Sequence, residues 1–108
     1  MPRRGEVWWV RLDPTRGSEI AKTRPCLILS TNIVNERRRT VVVIPLSSAL
    51  QPSPPLLIPV SCAGRKAVAV VDQIRAVAKE RLEGRMGELT SEHLEEVEQG
   101  LREILELE

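Results

Sequence analysis

The alternation of apolar and polar positions makes the first two-thirds of the chain a run of short strands broken by turn residues. Glu6 to Leu12, Glu-Val-Trp-Trp-Val-Arg-Leu, predicts a strand ended by Asp13-Pro14, with a polar loop over residues 13–23 around Gly17. Pro25 to Leu29 predicts an apolar strand with its proline at the first position, where no ladder donor is needed. Thr31 to Arg39, holding Asn32, Asn35 and the run Arg37-Arg38-Arg39, reads as a loop or one helical turn. Thr40 to Leu46 is β-branched at five successive positions and predicts a strand buried on both faces. A loop of Ser and Pro, Ser47 to Pro55, leads to three further strands at Leu56–Val60, Ala67–Val71 and Gln73–Ala78, and a last short one near Arg85 to Leu89.

The period then changes. Leu94, Val97, Leu101, Ile104 and Leu105 recur at helical spacing, Thr90 is a good N-cap and Glu92 complements the dipole of the first turn. Glu95, Glu96, Glu98 and Glu103 lie outside that stripe, and Gly100 inside it costs about 1 kcal/mol relative to alanine. Many short strands and one amphipathic helix predict a β-rich α+β chain: a strongly bent sheet or small barrel with the helix packed on it.

Length fits one domain, 1–108, whose single core would gain from burial against a second copy. No apolar run approaches the roughly eighteen residues a membrane span needs, and Met1-Pro2-Arg3-Arg4-Gly5 leads into a strand without a signal-peptide core; a cytoplasmic protein is expected. Cys26 and Cys62 both belong to apolar runs and are expected to be buried and reduced. With one histidine and two isolated cysteines, no zinc set can be assembled, and no metal or cofactor is expected.

Net charge is +1, but its distribution is uneven. Residues 1–85 carry 15 Lys/Arg against 7 Asp/Glu, whereas residues 86–108 carry Arg102 against 8 glutamates. A basic body with an acidic helix suits a polyanionic partner. A single His excludes a two-histidine acid–base pair within one chain, no Gly-rich phosphate loop precedes a helix, and no Ser-His-Asp set has a plausible elbow.

One constellation remains. Gly17-Ser18-Glu19 and Lys22-Thr23-Arg24-Pro25 crowd a loop entering a buried strand. Arg24 is either a surface arginine neutralised by Glu19 or a guanidinium placed to grip a phosphate in bidentate fashion. Ser47 and Ser48 end the most buried strand, where serines commonly cap a turn. Asp72-Gln73 puts a carboxylate and an amide into an apolar pattern, where both need partners. Trp8 and Trp9 are the only aromatic residues; alternation sends them to opposite faces, one to the core and the other free to stack a base or enter a dimer interface.

Together these segments resemble the MazF/PemK toxins. The resemblance runs in order through Arg4-Gly5-Glu6-Val7-Trp8-Trp9-Val10-Arg11-Leu12-Asp13-Pro14, Gly17-Ser18-Glu19, Thr23-Arg24-Pro25, Ile44-Pro45-Leu46-Ser47-Ser48 and Val71-Asp72-Gln73-Ile74-Arg75 to the closing helix. It implies an SH3-like small barrel of the CcdB/MazF/PemK type with a C-terminal amphipathic helix, acting as a homodimer with single-stranded RNA across the interface. It also implies metal-independent cleavage at a short sequence, by attack of a 2′-hydroxyl on the adjacent phosphate, and neutralisation by a cognate antitoxin with an acidic, disordered tail. DNA lacks that hydroxyl and should survive. Arg24 matches the family's transition-state arginine and Ser47 its catalytic Thr or Ser. Glu19 matches an acidic position that orients the arginine, and Gln73 an RNA-contacting glutamine; Lys22, Thr23, Ser48 and Trp8 complete the expected RNA contacts. One branch of the family uses the aspartate matching Asp72 as base beside an arginine two positions earlier. Val70 stands at that earlier position here, so Asp72 is carried only as a supporting residue.

Two rival readings are a gyrase-binding toxin of the same barrel and a plain SH3-like interaction module. The former resembles its kin in a C-terminal Trp-Gly-Ile tail, whereas this chain ends Glu106-Leu107-Glu108. The latter needs an aromatic groove, hard to build without Tyr or Phe.

Overall fold

The computed structural model describes residues 1–12, 17 and 22–108, so the expectations for Asp13-Pro14, Ser18 and Glu19 lie outside the described residues. Its elements are β1 (Glu6–Arg11), β2 (Thr23–Ile28), α1 (Asn32–Arg37), β3 (Thr40–Ser47), β4 (Leu57–Cys62), β5 (Arg65–Val70), β6 (Arg75–Ala78), β7 (Leu82–Glu88) and α2 (Ser91–Leu105), with 3-10 turns at Val71–Gln73 and Lys79–Arg81. All pairings are antiparallel, in the order β4-β5-β3-β2-β1-β7, with β6 also on β3. The sheet curls into a partly closed barrel with α2 against one side.

β3 organises the sheet because both its faces are buried. Ile44 and Leu46 point into a core with Val7, Leu27, Ile58 and, from α2, Val97. Val41 and Val43 point the other way, into a second core with Val10, Cys26, Ile28 and Val77. One edge of β3 pairs with β2, while the other takes β6 along Thr40–Val43 and β5 at Leu46 and Ser47. Pro45 stands at that change of partner. Leu29 N–H donates to Val42 O at 2.9 Å, and this register turns the Pro45 nitrogen away from β2 into the gap between β6 and β5. A proline inside a central strand is tolerated there because no ladder donor is called for.

Several boundaries differ from expectation for related reasons. β2 begins at Thr23, so Pro25 lies within it rather than at its start. Leu12 N–H donates to Lys22 O at 2.9 Å, which turns the Pro25 nitrogen away from β1, and the β3 ladder begins only at Cys26. Asp72-Gln73 sits in a 3-10 turn, and the strand expected from Gln73 begins only at Arg75, because the chain must bridge from one end of β3 to the other. β7 is longer than expected, its extra residues pairing with β1. The stretch after Thr31 takes the helical alternative. Thr31 caps α1, and the fully buried Asn35 donates through Nδ2 to Ser30 O at 3.0 Å and accepts from Ser30 Oγ at 2.5 Å.

α2 is capped as expected, with Thr90 Oγ1 accepting from His93 N–H at 3.2 Å. Leu94, Val97, Leu101 and Ile104 pack on the first core, but Leu105 is exposed. Arg4 ties the helix to the sheet by donating to Leu29 O and to Glu98. Gly100 is explained by contact rather than by helix propensity. A Cβ there would lie 2.8 Å from Pro55 O and 3.2 Å from Ile58 Cγ1, so α2 approaches the sheet at a distance that only glycine permits. Between β1 and β7, Glu6 accepts from Trp8 Nε1 at 3.1 Å, Arg85 Nε at 2.7 Å and Arg3 N–H at 2.8 Å. Burial pushes its carboxyl up, but these hydrogen bonds and the nearby Arg85 charge outweigh that, leaving the group below its ordinary value.

Two measurements test this packing. On an exposed helix Gly→Ala stabilises by about 1 kcal/mol; Gly100→Ala should instead destabilise by about 1–3 kcal/mol, read from denaturant midpoints, as overpacking does. A gain in stability would mean that α2 is not seated so closely. Because the folded state lowers the Glu6 pKa, its stabilisation is present above the ordinary carboxylate value and lost as pH falls through the lowered one. Glu6→Gln should therefore lower Tm at pH 7, and the deficit should shrink as pH falls below the ordinary carboxylate range. An equal deficit at every pH would point to packing rather than charge.

Candidate active site

Where the barrel is open, β1, β2, the end of β3 and the β4–β5 hairpin surround a cavity of about 180 Å³. Its floor is apolar, from Trp9, Pro25, Leu46, Cys62, Ala67 and Met86; its polar wall is Thr23, Arg24, Ser48, Arg65 and Lys66. No described carboxylate lines it. Arg24 is carried there by β2, opposite Val10 of β1, with Pro25 fixing the next backbone step. Such a cavity presents cations beside a surface on which a flat, apolar group can rest.

The expected site residues divide into those the fold gathers and those it does not. Arg24, Thr23 and Ser48 line the cavity together. Lys22 is exposed just ahead of β2, with φ of 67°. Ser47, half-buried at the end of β3, uses its Oγ to accept from Ala49 N–H at 3.2 Å, the turn-capping role common for such serines. Asp72 is exposed and Gln73 half-buried; neither is among the residues lining the cavity. Trp8 is half-buried against the second core, whereas Trp9, on the opposite face of β1, reaches the cavity.

Three residues escaped sequence reasoning. Arg65 and Lys66 resemble ordinary solvated charges until the hairpin folds them over the cavity mouth. His93, the single histidine, is half-buried, and its Nδ1 accepts from Ser61 N–H at 3.4 Å. That bond leaves the proton of a neutral ring on Nε2. His93 lines a shallower groove that adjoins the cavity through Ser48, Lys66 and Ala67. Among the described residues no group of three or more His, Cys, Asp or Glu could hold a metal ion, and no helix is long and apolar enough to cross a membrane.

The family described as PemK-like, MazF-like toxin of type II toxin–antitoxin systems matches residues 3–105. A Mycobacterium tuberculosis protein named endoribonuclease MazF9 is 33% identical over 116 residues, spanning 99% of this chain and 98% of its own. The MazF toxin of Escherichia coli is 32% identical over 78 residues, 72% of this chain and 69% of its own. Among solved structures, MazF from Deinococcus radiodurans superimposes with a TM-score of 0.88 at 24% identity, covering 98% of this chain and 97% of its own. A mycobacterial endoribonuclease in complex with its cognate antitoxin gives 0.84 at 23% identity, covering 100% and 98%. These two structural likenesses bear on the fold.

Both cysteines are free and buried. Burial pushes the Cys26 thiol up to about 12, against an opposing pull from Arg75. Burial also raises Cys62, at the cavity floor, with Arg85 opposing and Glu88 adding to the rise. The thiolate is the reactive form. At pH 8 iodoacetamide should therefore label Cys26 of the folded protein hardly at all, and Cys62 more slowly than a free thiol. In denaturant both should react fully. Rapid labelling of folded Cys62, read by mass spectrometry, would show that Arg85 outweighs burial.

Proposed function

Because the chain belongs to the PemK-like, MazF-like toxins of type II toxin–antitoxin systems, we propose that it is an endoribonuclease that cuts single-stranded RNA and is held in check by a cognate antitoxin. The observation that carries this reading is the cavity itself, which sets Arg24 beside an apolar floor and two further cations with no described carboxylate among them. A phosphodiester seated there meets a guanidinium suited to bidentate contact with phosphate oxygens.

The reaction is transesterification followed by release. The ribose 2′-oxygen bonds to the adjacent phosphorus while its proton leaves, and the bond from phosphorus to the 5′-oxygen breaks. The departing 5′-oxygen takes up a proton, leaving a 2′,3′-cyclic phosphate on one fragment and a 5′-hydroxyl on the other. Charge accumulates on the non-bridging oxygens in the transition state, and Arg24 is the donor that meets it. Ser47 is a second partner for the phosphate, once its hydroxyl turns from the Ala49 N–H. Ser48, Thr23 and Lys22 contact the RNA on the cavity side. Glu19 orients Arg24, Gln73 contacts RNA beyond the cavity and Asp72 supports it. The reaction needs no metal. A homodimer would extend this track across two copies, and the exposed Leu50 and Leu56, at 45% and 46%, supply apolar surface for such an interface.

The test is to incubate the protein in EDTA with a long mixed-sequence RNA, beside an Arg24→Ala variant and a matching single-stranded DNA. Discrete fragments with 5′-hydroxyl ends are expected from the RNA, with the variant slower by about a hundredfold or more and the DNA intact. RNA left whole across several sequences would overturn the ribonuclease reading.

A further inference from the structure

The β4–β5 hairpin is built to hold two cations still. Cys62 pairs with Arg65 and Ser61 with Lys66, and the two-residue loop Ala63-Gly64 has φ of 52° and 76°. Positive φ at both positions gives the tight turn whose twist matches its strands. The hairpin tip is also braced against β7. A Cβ at Gly87 would fall 2.9 Å from Cys62 Sγ and 3.8 Å from the Ala63 Cβ, so the missing side chain lets the two edges meet. Arg65 and Lys66 are exposed, and neither makes an ion pair among the described residues.

Trp9 lines the same cavity. Its neighbour across to β2 is Pro25, and across to β7 it is Gly84, where a Cβ would meet nothing within 4 Å. Trp9 is half-buried, and space is open beside its β7 neighbour. Single-stranded nucleic acids are held by stacking bases on aromatic rings while cations follow the backbone. Lys66 also lines the adjoining groove, with Gln51, Ser61, His93 and Glu96.

We propose that Trp9, Arg65 and Lys66 form a nucleotide subsite beside Arg24: one base of a single-stranded RNA stacks on the Trp9 indole, and Arg65 and Lys66 grip the phosphate next to the one that is cut. The subsite rests on the ribonuclease reading for its place in the reaction, but its binding can be measured without cleavage. The subsite tolerates any base, because every base has a face to stack.

The probe is a ten-nucleotide mixed-sequence 2′-O-methyl RNA, which lacks the attacking hydroxyl. In a Trp8→Phe variant Trp9 is the only fluorophore, and saturating oligonucleotide should quench it. In Trp9→Phe, where Trp8 alone reports, emission should stay nearly constant. Arg65→Ala/Lys66→Ala, introduced into the Trp8→Phe protein, should bind about tenfold more weakly. Its dependence of log Kd on log salt should flatten by about 0.7 per lost phosphate contact. Melting curves establish that each variant is folded. Inorganic polyphosphate should compete for the cations without quenching Trp9. Bound oligonucleotide that leaves Trp9 unquenched, an unchanged affinity in the double variant, or no binding at all would overturn the subsite. So would an acidic peptide that quenches Trp9 when the RNA does not. Since the probe cannot be cut, quenching without ribonuclease activity would sink only the reaction, and activity without quenching only the subsite.

Discussion

The structure depends on burying both faces of β3. Its alternate residues are committed to two different cores, Ile44 and Leu46 to one and Val41 and Val43 to the other. A slip of one residue would exchange the two sets and misfit both cores, so the register is fixed from either side. Everything at the cavity inherits that register. Cys26 pairs with Pro45, and two residues back along β2 Arg24 stands just past the last β3 pairing, beside the strand end from which Ser48 emerges. The arginine is accurately aimed although it is exposed, because the strand that carries it is locked two residues further on.

How much of this the sequence discloses follows from where the information resides. The β-branched run Thr40–Ile44 announced a doubly buried strand because β-branched side chains on consecutive positions leave no polar face. Thr90 and the stripe Leu94-Val97-Leu101-Ile104 announced α2 because capping and periodicity are local. Trp8 and Trp9 show the limit. Alternation separates them but cannot say which face lies against a core, and with cores on both sides of the sheet neither face is simply solvent. Gly100 looked like a defect because its reason, the Pro55 carbonyl, lies across the fold. Arg65 and Lys66 carried no sequence signal at all: two charges after Ala-Gly are ordinary until a hairpin folds them over a cavity mouth.

The uneven charge distribution acquires a spatial meaning. The surplus of glutamate lies on α2, where Glu92, Glu95, Glu96 and Glu98 line a groove with Gln99 and Arg102, Glu96 also reaches the groove that holds Lys66, and Glu98 takes up Arg4. The cations Arg24, Arg65 and Lys66 face the cavity. Exposed charges farther apart than about 8 Å are largely screened at physiological salt. A nearly neutral chain can therefore present a locally cationic track, and net charge alone could not have revealed it.

The cavity exists because the barrel stops short of closing. Among the described residues β4 forms a ladder with β5 and β7 one with β1, but none joins β4 to β7, so these two edges meet through Cys62 and Gly87. Open edges invite unwanted pairing, and each carries a deterrent: Pro59 on β4, and Glu83, Arg85 and Glu88 along β7. A fully bonded seam would remove that hazard but draw the hairpin against β1 and fill the mouth. With a glycine contact at one end and no ladder along it, the seam braces the hairpin tip and leaves the cavity open. Gly87 thus matters to the site although it lies outside the cavity lining. A larger residue there would move Arg65 and Lys66 without touching anything they are proposed to bind.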